Sequence, residues 1–421
     1  MPNEGSKKIC FIFTKQFPFG IKESYLLDEV PFLKQYFDFI YFIPYAEFGF
    51  DKSQMRIKLS KQEKVIYLNE AIPSLSLTEK IHAAFAILTI LWLDFFTSRE
   101  RFNTFRRFYQ NALRLYHYFA CSRALLEYMR LHQKDQITFY HYWLHDGMII
   151  QKFAQGIWRR NFGFTISRAH SLDLYHKNWP LKSYLPYESI KFRMADHVAS
   201  ISKHGLRHIN CTFPDIVSKF SYRPLGVIDV TSGKLDYTLP QPLILSISWI
   251  SELKRLDRIL ELMTELPREF KWVHIGNGDV NILNKLKIQC DALNIQFEAK
   301  GYLSKQEVYD FFTQNRVTYF CNMSVWEGVP VTLMEAAMFG IPMIVSNIDG
   351  NKEVVEHGQN GWIVEGENWP NELIAEIAEV AGDERKWMQR SKSARQTFVH
   401  KYNADQNYNE FYRFLLEKSA V

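Results

Sequence analysis

Short β-rich runs alternate with segments of helical length through the second half of this sequence. Strands separated by helices of about 10 to 15 residues form βαβ units, and βαβ units build a parallel sheet. The second half is therefore predicted to be a doubly wound α/β domain. Its predicted strands are residues 243–248, 271–276, 295–301, 317–322, 342–346 and 362–364, and its predicted helices are 255–266, 280–292, 305–314 and 331–340.

The first half shows the same alternation with longer helical insertions. A chain of 421 residues is too long for one hydrophobic core, so two α/β domains are expected. We place the N-terminal domain at 1–225, a turn-rich linker at 226–242 and the C-terminal domain at 243–402. A helix at 403–421 is expected to pack back on the N-terminal domain. The apolar stripe of this helix is Tyr408, Phe411, Tyr412 and Leu415. The predicted strands of the first half are 8–14, 37–44, 64–68, 137–142, 163–168 and 196–202.

The composition is that of a globular protein, with 47% hydrophobic and 23% charged residues. Five scattered cysteines, none in a CxxC pair, indicate neither a disulfide framework nor a zinc site and favour a cytoplasmic location. The apolar run near the N-terminus is too short for a signal-peptide core. The apolar run at 81–96 is shorter than the roughly 20 residues that span a bilayer and contains His82 and Asp94, so no transmembrane helix is predicted.

Residues 99–130 form a basic segment, in which seven arginines alternate with aromatic residues and only Glu100 and Glu127 oppose them. The pattern predicts an amphipathic helix with two open interpretations. In one, the region 81–130 contacts an anionic membrane surface, which places the protein peripherally on the cytoplasmic face of the inner membrane. In the other, the arginines form an ordinary solvated face and the aromatic side chains belong to the core. Nucleic acid is not an expected partner.

Three loops follow predicted strands, where open α/β sheets bind their ligands. They are FPFGIKE (17–23), GNGD (276–279) and SVWEGVP (324–330). The glycine loops match neither the G-x-G-x-x-G fingerprint nor a P-loop, so GNGD is either a tight turn that opens a helix or part of a ligand site.

The loop SVWEGVP carries the first of two glutamates in an otherwise apolar stretch. Pro330 is predicted at the first position of the next helix, while Gly340 marks the end of that helix. Glu327 then lies on the loop, and Glu335 lies in the helix. The amides of residues 328–331, among which Pro330 has no N–H to donate, and the helix dipole together can hold a phosphate.

The ordered string SVWEGVPVTLMEAAMFGIPMIVSNIDGNKEVVEHGQNGWIV (324–364) resembles the donor-binding signature of GT-B glycosyltransferases, especially the retaining enzymes of glycosyltransferase family four. The likeness extends to LSISWISELKRLDRIL, GNGD and KGYL. In the N-terminal half FPFGIKESYLLDEVPFL, HYWLHDG and ISRAHSLDLY resemble the branch of the family that builds cell-surface polysaccharides, including lipopolysaccharide and capsule. The resemblance implies a GT-B fold, in which two Rossmann-like domains face each other across a cleft.

The resemblance also implies roles for individual residues. Glu335 would accept hydrogen bonds from the ribose hydroxyls of a nucleotide sugar, Lys254 would pair with the diphosphate, and His170 would line the cleft near the transferred sugar. His170, Glu327 and Lys254 form the expected catalytic set, and Arg168 and Asp173 are placed on the acceptor side. The donor sugar and its β-phosphate are assigned to Glu327, Gly328, Val329, Pro330 and Val331, with further donor contacts from Gly276, Gly278, Tyr302 and Gly20.

One position departs from the family pattern. Many members carry an arginine five residues before the lysine, where this chain has Trp249. Arg255, adjacent to Lys254, is the obvious substitute for that cation, although it also fits a surface position on a helix.

The reaction implied is a metal-independent hexosyl transfer from a UDP- or GDP-linked sugar to a glycan or lipid-linked acceptor, with retention of configuration and no cofactor. The sequence contains no D-x-D motif, which favours neutralisation of the diphosphate by Lys254 and a helix N-terminus. Two alternatives stay open: a GT-B enzyme of another reaction type, such as an epimerase or a phosphorylase, and a non-catalytic sugar-nucleotide binder in a glycan-assembly complex.

Overall fold

The computed structural model places the chain in two compact units, unit 1 (residues 1–223 with 408–421) and unit 2 (residues 224–407). Each unit is an α/β domain built on a parallel sheet, as the sequence predicts. The residues that the structure describes are 6–20, 23–45, 55–68, 76–97, 107–144, 146–158, 163–175, 187–233, 235–236, 238–240, 242–366 and 368–419.

Unit 1 contains a seven-stranded parallel sheet among its described residues, in the order β3-β2-β1-β4-β5-β6-β7. The central strand β1 pairs with β2 on one side and with β4 on the other. Such strands are buried on both faces, which explains why the run KICFIFT is almost continuously apolar. The strands are β1 Lys8–Thr14, β2 Phe39–Pro44, β3 Glu63–Val65, β4 Gln136–His141, β5 Phe164–Ala169, β6 His197–Ser200 and β7 Phe220–Tyr222.

Helices cover this sheet, and their inward side chains complete an aromatic-rich core around Phe11, Tyr41 and Phe139. A short 3₁₀ helix, Pro214–Lys219, precedes β7. Among the residues that the structure describes, the α-helices of unit 1 are α1 Leu26–Tyr36, α2 Leu77–Thr97, α3 Phe108–Leu131, α4 Gly147–Trp158, α5 Ser171–Leu174, α6 Glu188–Met194 and α7 Lys203–Thr212.

Unit 2 contains a six-stranded parallel sheet, ordered β10-β9-β8-β11-β12-β13. The strand order reverses between β8 and β11, which makes that pair the topological switch point of the sheet. Its strands are β8 Leu243–Ile247, β9 Lys271–Ile275, β10 Gln296–Gly301, β11 Tyr319–Asn322, β12 Met343–Ser346 and β13 Gly361–Val364. Its helices are α8 Leu256–Glu265, α9 Val280–Ala292, α10 Lys305–Asn315, α11 Val331–Met338, α12 Asp349–Lys352, α13 Asn371–Gly382 and α14 Glu384–Thr397, with a 3₁₀ turn at Glu252–Lys254 and a π-helical turn at Phe398–Tyr402.

The C-terminal helix α15 (Ala404–Ser419) begins in unit 2 and contributes residues 408–419 to unit 1. All four residues of its predicted apolar stripe are fully buried. Tyr412 stacks on Tyr36 at a ring distance of 5.5 Å, and its hydroxyl donates to the Glu29 carboxylate at 2.8 Å. Residues 224–407 form unit 2, so the segment predicted as a linker belongs to that unit, where Val227 N donates to Tyr402 O at 2.9 Å.

Most predicted elements are confirmed within a few residues, but one strand was missed and the bounds of one helix are wrong. Strand β7 was not expected, because its three residues FSY carry too short a pattern to be recognised. The helix predicted at 331–340 begins at Val331 but ends at Met338, and Pro330 is the residue before its first turn rather than the first helical residue.

The length argument against a membrane span also fails. Helix α2 extends beyond the apolar run at 81–96 in both directions and reaches 21 residues, which by length and composition is enough to cross a membrane. Only 28% of its most apolar 18-residue window is buried. Length and composition therefore do not decide how this helix is used.

Candidate functional site

The switch point of unit 2 brings together two charged side chains from segments far apart in the sequence. Lys254 ends the short turn that follows β8, and Glu327 lies on the loop that follows β11. The Lys254 ammonium donates to Glu327 Oε1, to which Ser324 Oγ also donates at 2.9 Å. The two side chains keep 24% and 18% of their surface exposed. This ion pair is thus accessible at the place where α/β sheets bind ligands.

The loop around Glu327 is fixed by short contacts with its neighbours. Val325 N donates to Leu253 O at 2.9 Å, which ties the loop directly to the turn that carries Lys254. A Cβ on Gly350 would lie 1.9 Å from Gly328 O, so a larger residue there would displace the loop. Because both sides are anchored, Lys254 and Glu327 are held at a defined separation.

Helix α11 starts directly after this loop and points its N-terminus toward the same edge of the sheet. Pro330 offers no side-chain hydrogen bond to cap the first turn. The first amides of a helix carry partial positive charge and favour an anion. Gly328 and Val331 are partly exposed, whereas Val329 and Pro330 are buried.

Glu335 lies on the fifth residue of α11 and is buried. Its Oε1 accepts a hydrogen bond from the Tyr309 hydroxyl at 3.2 Å. Glu327 and Glu335 therefore have different partners, as the placement of one on a loop and the other in a helix predicts. A buried carboxylate with a hydroxyl donor is an acceptor held in a fixed orientation.

The GNGD loop packs against the segment that follows β8. Ile250 N donates to Asn277 O at 2.8 Å, and a Cβ on Gly276 would lie 1.9 Å from Ser248 O. Only glycine permits that approach, with φ at 141°. Gly278 is equally close to the backbone of Ile250. The loop thus packs against the backbone on both sides of Trp249, whose side chain is exposed, and Asp279 caps α9 by accepting from the backbone amides of the first turn.

Two further predicted donor residues lie near this edge of the sheet. Tyr302 is exposed and comes directly after β10, whose last residue Gly301 accepts from Gly276 N at 2.7 Å. Arg255 adopts a left-handed backbone conformation with φ at 46°, and its guanidinium donates to both oxygens of Asp257 at 3.0 and 3.1 Å. The side chain of Arg255 is therefore engaged by its own helix α8.

The switch point of unit 1, between β1 and β4, is organised by the carboxylate of Glu23. This buried group accepts from the backbone amides of Lys15, Gln16 and Phe17 and from Trp143 Nε1, at distances between 2.7 and 3.1 Å. Gly20 belongs to the same loop and has φ at 64°. Residues 21–22, and residue 145 within HYWLHDG, lie outside the described residues.

His170 follows β5 and packs against this cluster. Its ring lies 4.3 Å from the ring of Trp143, and its Nε2 lies 2.9 Å from Tyr142 O. Because a carbonyl oxygen only accepts, Nε2 carries the proton and Nδ1 keeps its lone pair. Burial, and then the charges of Arg168 and Lys15, holds the pKa of His170 well below its usual value, so the imidazole is neutral at pH 7.

The two residues predicted on the acceptor side are both buried. Arg168 is fully buried, with its guanidinium donating to Tyr140 Oη at 2.6 Å and to Glu29 Oε1 at 3.2 Å while it lies 4.0 Å above the ring of Phe411. Asp173 accepts from His170 N at 2.9 Å, and burial raises the pKa of its carboxyl group. These contacts give Arg168 and Asp173 structural roles, and their placement on the acceptor side stays a prediction.

Sequence reasoning did not single out Glu23, Trp143 or Tyr309. Glu23 and Trp143 lie in stretches that carry the family resemblance, but their joint hydrogen bond connects positions 120 residues apart. No sequence motif marked Tyr309 as a site residue, because it belongs to an ordinary amphipathic helix, α10.

Comparison with known proteins identifies the domain that holds the exposed ion pair. Residues 231–397 match the family Glycosyl transferases group 1. These residues form a glycosyl transferases group 1 domain. The group 1 domain contains Lys254, Glu327, Glu335, Gly276 and Tyr302, whereas His170 and the Glu23 cluster lie outside the matched segment.

A curated relative of the group 1 domain is the amylovoran biosynthesis glycosyltransferase AmsK of Erwinia amylovora. It is 27% identical over 210 residues, which is 48% of this chain and 49% of AmsK. The matched part thus spans about half the length of that relative.

Solved structures share the fold over nearly the whole chain. HepE of Anabaena, crystallised in complex with UDP and glucose, has a TM-score of 0.66 at 13% identity and covers 98% of this chain and 100% of its own. WaaG, a glycosyltransferase involved in lipopolysaccharide biosynthesis, has a TM-score of 0.58 at 13% identity, covering 97% of this chain and 99% of its own. At these identities the likeness shows the fold alone, and that fold is GT-B, as predicted.

Proposed function

We propose that the protein is a retaining hexosyltransferase that moves a sugar from a UDP- or GDP-linked donor to a glycan or lipid-linked acceptor in bacterial cell-surface polysaccharide synthesis. The observation that carries the proposal is the exposed pair of Lys254 and Glu327 beside the N-terminus of α11, within a group 1 domain. The similarity to AmsK, a glycosyltransferase of amylovoran biosynthesis, supports the assignment to polysaccharide synthesis. The reaction would take place on the cytoplasmic side of the membrane, where the protein is proposed to reside.

The charges at this site suit a nucleoside diphosphate sugar. A diphosphate would compete with Glu327 for the Lys254 ammonium, and charge-assisted hydrogen bonds of this kind contribute about 1.5 to 3 kcal/mol each. The first amides of α11 would hold the β-phosphate, and Glu327, released from Lys254, would face the sugar hydroxyls. No metal takes part in this scheme, because the lysine and the helix N-terminus supply the positive charge.

The transfer itself would proceed on one face of the donor sugar. The bond from the anomeric carbon to the β-phosphate oxygen breaks, and a bond from the same carbon to the acceptor hydroxyl oxygen forms on the same face. The acceptor proton passes to the departing phosphate oxygen. Lys254 would stabilise the charge that develops on the diphosphate, which is commonly the largest catalytic contribution.

Glu335 and His170 would position the two ends of the donor. Glu335 would accept hydrogen bonds from the ribose hydroxyls, with its orientation fixed by Tyr309. His170 would present a neutral ring, held by Tyr142 O and Trp143, to the transferred sugar. Its Nε2 proton is committed to the backbone, so the role proposed for His170 is contact with the sugar rather than proton transfer through that nitrogen.

Calorimetry with UDP and GDP, followed by donor-hydrolysis assays, tests the proposal. We expect one of the two nucleotides to bind and its sugar conjugates to be hydrolysed slowly. Glu335→Ala should weaken nucleotide binding by roughly tenfold or more, because the buried acceptor for the ribose is lost. Glu372→Ala, which removes an exposed carboxylate at the start of α13, is the matched control and should bind as wild type does.

The outcomes separate the alternatives. If neither nucleotide binds, the transferase assignment is wrong. Binding without hydrolysis or transfer over a panel of nucleotide sugars indicates a non-catalytic binder, and release of an epimerised nucleotide sugar indicates another reaction type. Analysis of the anomeric configuration of the product by NMR tests retention separately.

A further inference from the structure

Helix α2 presents a long row of large apolar side chains on its outer face. Phe85 is 76% exposed, Trp92 54% and Phe96 61%. Leu77, Ile81, Leu88 and Leu93 are exposed on the same helix. An exposed row of this length in a soluble domain marks an interaction surface, because isolated exposed apolar residues are common but contiguous ones are not.

The opposite face of α2 is part of the core of unit 1. Ala83, Ile87 and Leu91 are buried in the main cluster of that unit. Glu79 pairs with Arg123 at 3.2 Å, and Asp94 accepts from Tyr187 N at 3.0 Å. These contacts fix α2 along the surface of unit 1.

The aromatic residues gather toward the C-terminal end of α2. The rings of Trp92 and Phe96 stack at 5.8 Å, and the rings of Phe95 and Phe96 meet edge to face at 5.4 Å. Tryptophan and phenylalanine at one end of an apolar helix face are typical of the boundary between lipid headgroups and acyl chains.

Charge lies near the ends of the apolar row rather than in its central and C-terminal part. Between Ala83 and Thr97 the helix carries one ionisable side chain, Asp94, which is buried. Lys80 is exposed in the first turn of α2, near the N-terminal end of the row, and Arg107 is exposed immediately before α3. An apolar row with cations at its edges complements an anionic lipid surface.

We propose that the outer face of α2 inserts into the headgroup region of an anionic membrane leaflet, with α2 lying parallel to the surface. The occupant of this face is lipid. A spanning orientation would withdraw Ile87 and Leu91 from the core of unit 1 and would bring Asp94 into hydrocarbon, which is costly. One interpretation of the sequence predicted membrane contact for the whole region 81–130 on the basis of its arginines, and the structure favours the apolar face of α2 as the contacting surface. This proposal does not depend on the transferase activity proposed above.

Vesicle flotation with the full chain tests this inference. We expect wild type to float with vesicles of phosphatidylcholine containing about one quarter phosphatidylglycerol and to bind pure phosphatidylcholine vesicles more weakly. The triple substitution F85Q/W92Q/F96Q should lower the affinity for the anionic vesicles by roughly tenfold or more. The matched control is V280Q/I288Q, which changes two exposed apolar residues of α9 in unit 2 and should bind as wild type does.

Every other outcome overturns the inference. It is wrong if wild type does not float, or if the triple variant floats equally well while its urea midpoint matches that of wild type. A wild-type dimer in sedimentation velocity that the triple substitution dissociates, without vesicle binding, would identify the face as an interface between copies. Resistance of the membrane-bound protein to alkaline carbonate extraction would show a spanning helix instead. Because vesicle binding is measured without donor or acceptor, its failure is distinguishable from a failure of the proposed reaction.

Discussion

The switch points of the two sheets show opposite uses of a carboxylate. In unit 1, Glu23 is buried and accepts four hydrogen bonds from its own loop and from Trp143. In unit 2, Glu327 shares an ion pair with Lys254 that remains accessible. The loops at the two switch points thus differ: the carboxylate of Glu23 is fully engaged by hydrogen bonds within the fold, whereas the pair of Glu327 and Lys254 stays accessible to a ligand.

The difference extends to the neighbouring strands. Unit 1 holds Arg168, Glu29 and His170 in its interior, where each has protein partners. Buried polar groups of this kind act through the geometry they impose, whereas a part-exposed pair can change partners at small cost. The free energy of unfolding should therefore respond strongly to substitutions in unit 1 and weakly to substitutions of the pair in unit 2.

The largest expected effect is that of Arg168→Met. It leaves the buried carboxylate of Glu29 without its counter-charge, and breaking a buried pair costs about 3 to 5 kcal/mol in the free energy of unfolding. Urea denaturation followed by circular dichroism measures this cost. The double substitution E29Q/R168M should recover part of it, and Arg193→Met, at the exposed pair with Asp215, should cost less than about 1 kcal/mol. A loss of that small size for Arg168→Met would show that the interior of unit 1 tolerates an unpaired charge.

A smaller effect is expected from pH. Burial lowers the pKa of His141 to about 3, so between pH 6.5 and that value the unfolded chain binds a proton that the folded chain does not. Stability is complete above pH 6.5 and falls as the pH is lowered, by about 2 kcal/mol at pH 5 for this one group. Urea midpoints, converted to free energies of unfolding, measure the stability lost between pH 7 and pH 5. For His141→Gln this loss should be about 2 kcal/mol smaller than for wild type. For His82→Gln, at an exposed site, the loss should equal that of wild type.

If wild type and His141→Gln lose the same free energy between these pH values, His141 is not buried as a neutral imidazole. The comparison is made within each variant, so a constant destabilisation by the substitution does not affect it.

The smallest expected effect on stability is that of Lys254→Met, and it should accompany the largest effect on activity. The pair with Glu327 is part-exposed, so its removal should change the free energy of unfolding by less than about 1 kcal/mol. Donor hydrolysis should fall by about a hundredfold or more, because the cation for the leaving diphosphate is lost. Lys271→Met, which removes the exposed pair with Glu298, should leave hydrolysis unchanged. Full hydrolysis by Lys254→Met would assign the ion pair to the fold alone and remove the contrast between the two units.

Much of the fold was predictable, because the strands and helices of βαβ units follow from local sequence patterns. The strand KICFIFT and the helix at 280–292 have the predicted bounds. The placement of Glu327 on a loop and Glu335 in a helix was also local information, since Pro330 and Gly340 mark the ends of one short segment.

Long-range contacts were not predictable from a single sequence. The burial of Arg168 depends on Glu29, which lies 139 residues away, and on Phe411 from the C-terminal helix. In the same way, the apolar composition of α2 is compatible with a core helix, a span or a surface helix. Only the packing of Ile87 and Leu91 shows which face is covered.

Helix α15 has a consequence for the order in which the chain is assembled on the ribosome. Residues 408–419 complete the core of unit 1 but are synthesised after all of unit 2. Until they emerge, Glu29 lacks the hydroxyl of Tyr412 and Arg168 lacks the ring of Phe411. Unit 2, with its group 1 domain, is therefore the first part of the molecule whose core can close during translation, and unit 1, although translated first, is the last to be finished.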